Sequence, residues 1–330
     1  MMLSVICPTY NEEKYIKGCI ESILAQDFSQ QHIEVFFVDG MSKDRTREII
    51  GEYVNRYGFI HLLDNPNKTA PWAMNIGIEA AHGDVIIRLD AHVSYATNYF
   101  SELTRQLIEL DADNVGAVCI TDVRTKNSRS LAIRAILSNR FGVGNSLFRI
   151  GVDDVKEVDT VPFGCWKKEA FEKYGLFDVR LSRNQDFEFN HRIKAGGGKI
   201  FLVPGTQSTY YARDTFRGLA RQAFLNGKWT VLTVWFRRTM NTIAIRHVIP
   251  FVFLMSLLLP LLAALFYLPL VLIAASSLAA YLTLIGLVSL KVCKEQHLNW
   301  CMLMWSFITL HLSNGYGLAC GLFCLPLMKR

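Results

Sequence analysis

Short apolar runs alternate with helical patterns through the first 120 residues. The runs at 3–7, 33–38, 59–63, 85–89 and 115–120 have the length and the β-branched content of buried strands. Between them, Ile16, Ile20, Ile23 and Leu24 recur at helical spacing and make one face, and Ile49, Ile50, Tyr53 and Val54 make another. Strands alternating with helices predict βα units, hence an α/β fold with a mainly parallel, Rossmann-like sheet and helices on both faces. Ligands of such sheets lie at the carboxyl ends of the strands.

The pattern changes after residue 247. Residues 248–290 form a 43-residue stretch without Asp, Glu, Lys, Arg or His. A bilayer core takes about 20 apolar residues as a helix, so two crossings are predicted, about 248–268 and 270–290, turning near Tyr267-Leu268-Pro269. A further apolar run, 298–328, broken by His311, predicts a third crossing at about 301–327 or a re-entrant pair hinged at Ser313-Asn314-Gly315. The expected organisation is a catalytic domain at 1–230, a basic juxtamembrane segment at 231–247 and a membrane anchor at 248–330.

Charge refines this picture. Of 35 Lys and Arg and 29 Asp and Glu, only Lys291, Lys294, Lys329, Arg330 and Glu295 lie beyond residue 247. The net +6 is spread between a mildly basic domain and basic membrane flanks, which is not the stripe of a nucleic-acid binder. Basic loops stay cytoplasmic, and Lys228, Arg237 and Arg238, with Arg246, precede the first span while Lys291 and Lys294 follow the second. The expectation is a multi-pass inner-membrane protein with its catalytic domain in the cytoplasm. The N-terminus has no basic n-region of a signal peptide. The eight cysteines lack metal spacing and read as buried small hydrophobes in a reducing compartment.

Three clusters sit where a parallel sheet would place chemistry. Pro8-Thr9-Tyr10-Asn11-Glu12 follows the first strand, and its turn offers helical N–H groups to an anion or a base edge. In Asp39-Gly-Met-Ser-Lys-Asp44, the ordinary role of Asp44 is a helix cap, whereas Asp39 ends a buried strand and is placed to accept from a ribose or a base. In Arg88-Leu-Asp90-Ala-His92, period-2 spacing puts Asp90 and His92 on one side, able to share a metal ion whose shell a diphosphate completes.

Taken in order, these motifs resemble the family 2 glycosyltransferases of GT-A fold. The resemblance runs from Val5 to Glu12 and Val38 to Thr46, through Asn75 to Asp84 and Asp90-Ala-His92. It continues in Gly164-Cys165-Trp166 to Phe171, Gly175 to Asp178 and Asn184-Gln185-Asp186 to Arg192. It covers about residues 3–230, and Tyr211-Ala-Arg213, Arg221-Gln222 and Gly227-Lys228-Trp229 look like the bacterial succinoglycan-type exopolysaccharide enzymes. The resemblance implies that Pro8, Thr9, Tyr10, Glu12, Asp39, Lys68, Asn75, Arg88 and Asp90 bind the nucleotide sugar. Asp90 and His92 would hold a divalent cation, Mg2+ or Mn2+. Gly164, Cys165, Trp166, Gln185, Arg221, Gln222 and Trp229 would line the acceptor and diphosphate side. Asp186 matches the catalytic base. Two departures stand out: His92 replaces an Asp, which leaves the choice between Mg2+ and Mn2+ open because imidazole suits transition metals better, and Gln185 replaces a Glu.

An inverting transfer needs a carboxylate to take the acceptor hydroxyl's proton while that oxygen attacks the anomeric carbon. Asp186 is the candidate, with a helix N-cap as its ordinary role. The departing diphosphate gathers charge that Arg88, Lys68 or Arg221 would help offset. Gly196-Gly-Gly198 reads as a helix C-terminal turn, and Gly142-Val-Gly144 as part of an acceptor-side loop. Phe216, Leu219, Phe224 and Leu225, with Arg217, Arg221 and Lys228, suit either a membrane-surface or a core-facing helix. The resulting expectation is a membrane-anchored enzyme moving sugar from a UDP-sugar to a polyprenyl-linked glycan, alongside other polysaccharide-assembly proteins in the bilayer. The alternatives are a polyprenyl-phosphate monosaccharide synthase and a non-catalytic membrane assembly subunit.

Overall fold

A computed structural model describes residues 1–238 and 245–325. In chain order the elements begin β1 (Leu3–Thr9), α1 (Ile16–Leu24), β2 (Ile33–Asp39), α2 (Thr46–Val54), β3 (Ile60–Asp64), α3 (Ala70–Ala80) and β4 (Val85–Arg88). They continue with β5 (Val93–Tyr95), α4 (Tyr99–Glu109), β6 (Asn114–Asp122), α5 (Ser128–Leu137), α6 (Arg140–Val143), α7 (Leu147–Ile150), β7 (Lys156–Glu157) and β8 (Cys165–Lys167). Then follow α8 (Glu169–Tyr174), α9 (Gln185–Ala195), β9 (Ile200–Tyr211), α10 (Phe216–Arg237), α11 (Ile245–Ala263), α12 (Val271–Gln296) and α13 (Trp300–Cys324).

The strands form a nine-stranded sheet in the order β3-β2-β1-β4-β8-β6-β9-β5, with β7 paired to β9. The βα units of the N-terminal half make β3, β2, β1 and β4 parallel, as expected. Beyond β4 the pairing turns antiparallel, at β4·β8, β6·β8, β5·β9 and β7·β9. The sheet is therefore mixed, with the short β8 inserted antiparallel between β4 and β6. β1 and β2 are buried along nearly their whole length, as strands covered on both faces are.

Two compact units result, and they do not divide at residue 230. The first comprises 1–120 and 151–211; the second takes 121–150 together with the chain from 212 onward. In the second unit α5 and α10 pack on α13, and α6 touches it as well.

In the second unit, α10 buries Leu219, Ala223, Gly227 and Val231, so the core-facing reading of this helix holds. Its partner is α13, and glycines set their separation. A Cβ on Gly317 would lie 2.0 Å from the Phe224 carbonyl oxygen, and one on Gly227 would lie 2.1 Å from that of Asn314. Phe216 meets Trp305, Phe224 meets Tyr316, and Val231 meets Gly321, so the two helices run parallel.

Two helices among the described residues, Ile245–Ala263 and Leu268–Gln296, are long and apolar enough to cross a membrane. Their most apolar windows are 0% and 11% buried, so they present hydrocarbon outward rather than inward. α13, which covers most of the third expected span, is not among those helices; His311, Ser313 and Asn314 interrupt its apolar run, and it packs against α5, α10, α11 and α12. It also runs unbroken through Ser313-Asn314-Gly315, which excludes a hinge there. The predicted end of that span reaches residue 327, outside the described residues.

Candidate active site

The turns after β1 and β2 are joined side chain to backbone. Asn11 N–H donates to Ser42 Oγ at 2.8 Å, Lys43 N–H donates to Asn11 Oδ1 at 2.9 Å, and Glu12 N–H donates to Thr46 Oγ1 at 2.7 Å. Asn11, Met41 and Lys68, at the carboxyl ends of β1, β2 and β3, hold φ of 55°, 61° and 62°. Left-handed non-glycine backbone is sparsely populated and tends to mark functional loops. Tyr10 is 42% exposed, and its ring lies 3.1 Å from where a Gly40 Cβ would stand, with the Lys68 backbone at 3.3 Å. Gly40 is itself buried, and its lack of a side chain lets the Tyr10 ring and the Lys68 backbone close over it as a shelf.

Asp39 does not present an oxygen to that shelf. It is fully buried; Oδ2 accepts from Ser42 N–H at 2.8 Å and Arg47 Nη1 at 3.0 Å, and Oδ1 accepts from Ser42 Oγ at 2.5 Å and Thr9 Oγ1 at 3.4 Å. Here both its oxygens are taken up in holding the turn that carries Gly40. Arg47, which also pairs with Asp64 at 2.7 Å, was not anticipated. Pro8 lies in the β1 register opposite Val38.

The second centre gathers at the end of β4. Arg88, only 5% exposed, donates from Nε and Nη2 to Asp90 Oδ1 at 3.1 and 2.9 Å, and from Nη1 to Asp186 Oδ1. One guanidinium therefore joins two carboxylates that are 96 positions apart in the chain. Burial opposes the charge on Arg88, but Asp186 and Asp90 outweigh it and raise its pKa. Burial lifts the Asp186 carboxyl above the usual range; Arg88 pulls it down, and the nearby Asp90 charge pushes it up again. A carboxyl so placed is a better proton acceptor than an exposed one.

Asp186 reaches this centre from the first turn of α9, not from its cap. Asn184 is the capping position, with φ 61° and no side-chain cap, so the helix starts with Gln185, which is buried. Asp90 is held by its backbone, its N–H donating to Tyr95 Oη at 2.7 Å. β4 stops at Arg88, so Asp90 and His92 lie in a turn rather than alternating along a strand. His92 Nδ1 lies 3.2 Å from Glu12 Oε1, which connects this centre to the β1 turn.

Among the described residues no three His, Cys, Asp or Glu side chains gather as a metal cluster. What is offered is the second oxygen of Asp90, which accepts no hydrogen bond among the described residues, with an imidazole two positions on. One carboxylate and one imidazole fit a divalent cation that takes its other ligands from substrate oxygens.

Other expected contacts are corrected. Asn75 is 8% exposed and spent on the Phe177 backbone, donating to its O and accepting from its N, both at 2.9 Å. Cys165 and Trp166 are fully buried, the indole packing on Phe171, Phe177 and Phe189, so neither touches an acceptor. Gly164 takes φ 82°, and its O accepts from Arg88 N–H at 3.2 Å; it supports the centre through backbone alone. Arg221, Gln222 and Trp229, on α10 in the second unit, are not among these corrections, and their acceptor-side role remains a proposal. Gly196 and Gly197 close α9, as expected of a helix C-terminal turn.

Comparisons with known proteins agree with this geometry. The chain is 29% identical over 234 residues to the dolichyl N-acetyl-alpha-D-glucosaminyl phosphate 3-beta-D-2,3-diacetamido-2,3-dideoxy-beta-D-glucuronosyltransferase of Methanococcus voltae, covering 68% of this chain and 71% of that one. It is 27% identical over 235 residues to the succinoglycan biosynthesis protein ExoA of Rhizobium meliloti (strain 1021), covering 68% and 67%. Among solved structures, the mannosyltransferase PcManGT of Pyrobaculum calidifontis, in complex with GDP-Man and Mn2+, superposes with TM-score 0.59 at 17% identity, over 94% of this chain and 86% of that one. S. aureus TarS 1–349 in complex with UDP gives 0.51 at 16%, over 97% and 90%. These two share the fold, of GT-A type. The family model for glycosyl transferase family 2 matches residues 4–175, more than half the chain, and with Asp90 and Asp186 brought to one guanidinium the conclusion is direct: this protein is a glycosyltransferase belonging to family 2.

Proposed function

We propose that the protein is a membrane-anchored inverting transferase that moves a sugar from a nucleoside-diphosphate donor, a UDP-sugar in the first instance, to a polyprenyl-linked saccharide. The observation that carries this reading is the Asp90–Arg88–Asp186 arrangement at the end of β4, where a carboxylate of raised pKa stands beside one suited to a cation. Tyr10 and Lys68 flank the shelf at Gly40 and are the surface for the nucleoside. Asp186 takes the proton from the acceptor hydroxyl as that oxygen attacks. Arg88 keeps Asp186 oriented and balances its charge before the proton arrives. Asp90 and His92 would hold a divalent cation, which would supply positive charge to the diphosphate leaving group.

Several facts support the finer points. The related enzymes are named for lipid-linked and exopolysaccharide synthesis, and neighbours of like fold hold UDP or GDP-mannose with Mn2+. α11 and α12 expose apolar faces, with Ile249, Leu259, Leu262 and Leu272 each at least 59% exposed, which suits a bilayer and not water.

The test is transfer by Asp186→Asn. The amide keeps the side chain's size but cannot accept the proton, so turnover should fall by about 10²–10⁴ while donor affinity stays. Retained turnover would remove Asp186 from the base's role. Stabilisation of the wild type by no nucleotide sugar, with either Mg2+ or Mn2+, would favour a non-catalytic assembly subunit.

A further inference from the structure

The second unit carries a cavity of about 490 Å³ between α10 and α13, lined by Arg217, Ala220, Arg221, Phe224, Ser313 and Tyr316. The volume is ordinary for a small-ligand site, which runs roughly 300–1,000 Å³. Arg217 and Arg221 are one turn apart on α10, so both guanidiniums project from the same face. Neither makes an ion pair among the described residues. Phe224 and Tyr316 line it as well, their rings 5.6 Å apart. The glycine contacts that join the two helices, at Gly227 and Gly317, fix the backbone around the cavity.

Its level along the helices matters. Gly315, between the lining residues Ser313 and Tyr316, packs against the Pro250 carbonyl oxygen of α11. The exposed apolar face of α11 begins there, at Ile245, Ile249 and Val252. A second groove of about 320 Å³, lined only by apolar side chains including Ile249 and Phe253, lies within two turns of the same contact. Two unpaired arginines therefore stand where a hydrocarbon-facing surface starts. Arginine binds phosphate oxygens through paired N–H groups, and a phosphate carried on an apolar chain would place its charge and its tail on these two surfaces.

We propose that the Arg217–Arg221 cavity binds the diphosphate of a prenyl-linked acceptor, with the prenyl chain running along the apolar face of α11. This rests on the acceptor class proposed above and names the residues that recognise it. Sugar specificity plays no part in it, because the cavity reads phosphate and hydrocarbon alone.

The test uses the full chain in detergent, with farnesyl diphosphate as probe. Arg217→Glu and Arg221→Glu should each weaken its binding about tenfold or more, as expected for a charge-assisted hydrogen bond turned repulsive. Arg217→Lys and Arg221→Lys should retain most of it. Both arginines are exposed, so these variants should keep the wild-type melting temperature. In transfer assays the charge reversals should raise KM for a prenyl-diphosphate-linked acceptor and leave KM for the nucleotide sugar in place.

Unchanged farnesyl diphosphate affinity in both reversals would overturn the inference. So would equal competition by inorganic pyrophosphate, which would make the cavity a plain anion site, or by phosphatidylglycerol, which would make it a general contact with anionic lipid. The two readings fail separately. A wild type that binds farnesyl diphosphate through these arginines but transfers sugar to no prenyl-linked acceptor sinks only the function. A wild type that transfers, with a KM that neither reversal moves, sinks only the cavity.

Discussion

Replacing Arg88 by methionine removes a cation between two acids while keeping the length of its stem. Taking one partner from a fully buried ion pair costs about 3–5 kcal/mol, because the remaining charge is stranded. Here the stranded groups are not sealed off: the Asp90 and Asp186 side chains are 22% and 25% exposed. Water can take over part of the solvation, so a loss of about 2 kcal/mol is the better figure. For a unit of this size that lowers the melting temperature by about 4–8 °C. The assay is thermal unfolding of the full chain in detergent, with the double variant Arg88→Met/Asp186→Asn beside the two single ones. Neutralising Asp186 relieves its repulsion with Asp90, so the double variant should be more stable than the sum of the singles by about 1 kcal/mol. An Arg88→Met protein as stable as wild type, or strict additivity in the cycle, would refute the claim that one guanidinium holds both carboxylates together.

Asp90→Ala should weaken nucleotide diphosphate binding mainly when a divalent cation is present, and His92→Asp should move the preference from Mn2+ toward Mg2+; undiminished transfer in excess chelator would contradict both. Glu34 ties the far edge of the sheet. Burial alone would raise its carboxyl, but donors at Ser4 Oγ, the His82 amide and ring and the Gly83 amide more than offset this and lower it. A depressed acid stabilises the fold above its unfolded value, near 4.5, and loses that contribution as pH falls through the lower folded value. Glu34→Gln should therefore lower the melting temperature at neutral pH by an amount that shrinks below pH 4.5, and a pH-independent difference would count against it. Gly317→Val would drive a side chain into the Phe224 carbonyl, and separating α10 from α13 should cost about 2–4 kcal/mol; a wild-type melting curve would show that the helices do not meet so closely.

The parallel half of the fold was legible because its signals are local. Each strand from β1 to β4 is a short apolar run, and the turns after β1 and β2 carry Asn11, Ser42 and Asp44 at positions where side chains cap backbone. What lay beyond the sequence was long-range. Nothing near Cys165 says that three residues will slide between β4 and β6, so the antiparallel half was missed. Asp39 reads as a ligand because it ends a strand; only packing reveals that Ser42 and Arg47 use both its oxygens. Gly164-Cys165-Trp166 reads as a substrate motif, yet Trp166 is the hub of an aromatic core. Arg88 could be flagged as a cation near a diphosphate, but its bond to Asp186, 98 positions away, could not. Asn184 in left-handed backbone was the one local hint that the helix start at Asp186 is unusual.

The dependence of α5 on α13 has a consequence for how the chain is made. α5 buries Ala132, Ile133, Ile136 and Leu137, and α13, which packs on it, begins more than 160 positions later in the chain, at Trp300. On the ribosome, the first unit's sheet has all its strands once residue 211 has emerged, and domains generally fold as they emerge. The part of the α5 face that meets α13 must then wait for its partner while the apolar helices α11 and α12 are synthesised. Nascent chains halted ahead of Trp300 should therefore expose α5 to holdase chaperones and proteases even though the turns after β1 and β2 are complete. Completion of the core around α5 is thus tied to the synthesis of both apolar helices that precede α13.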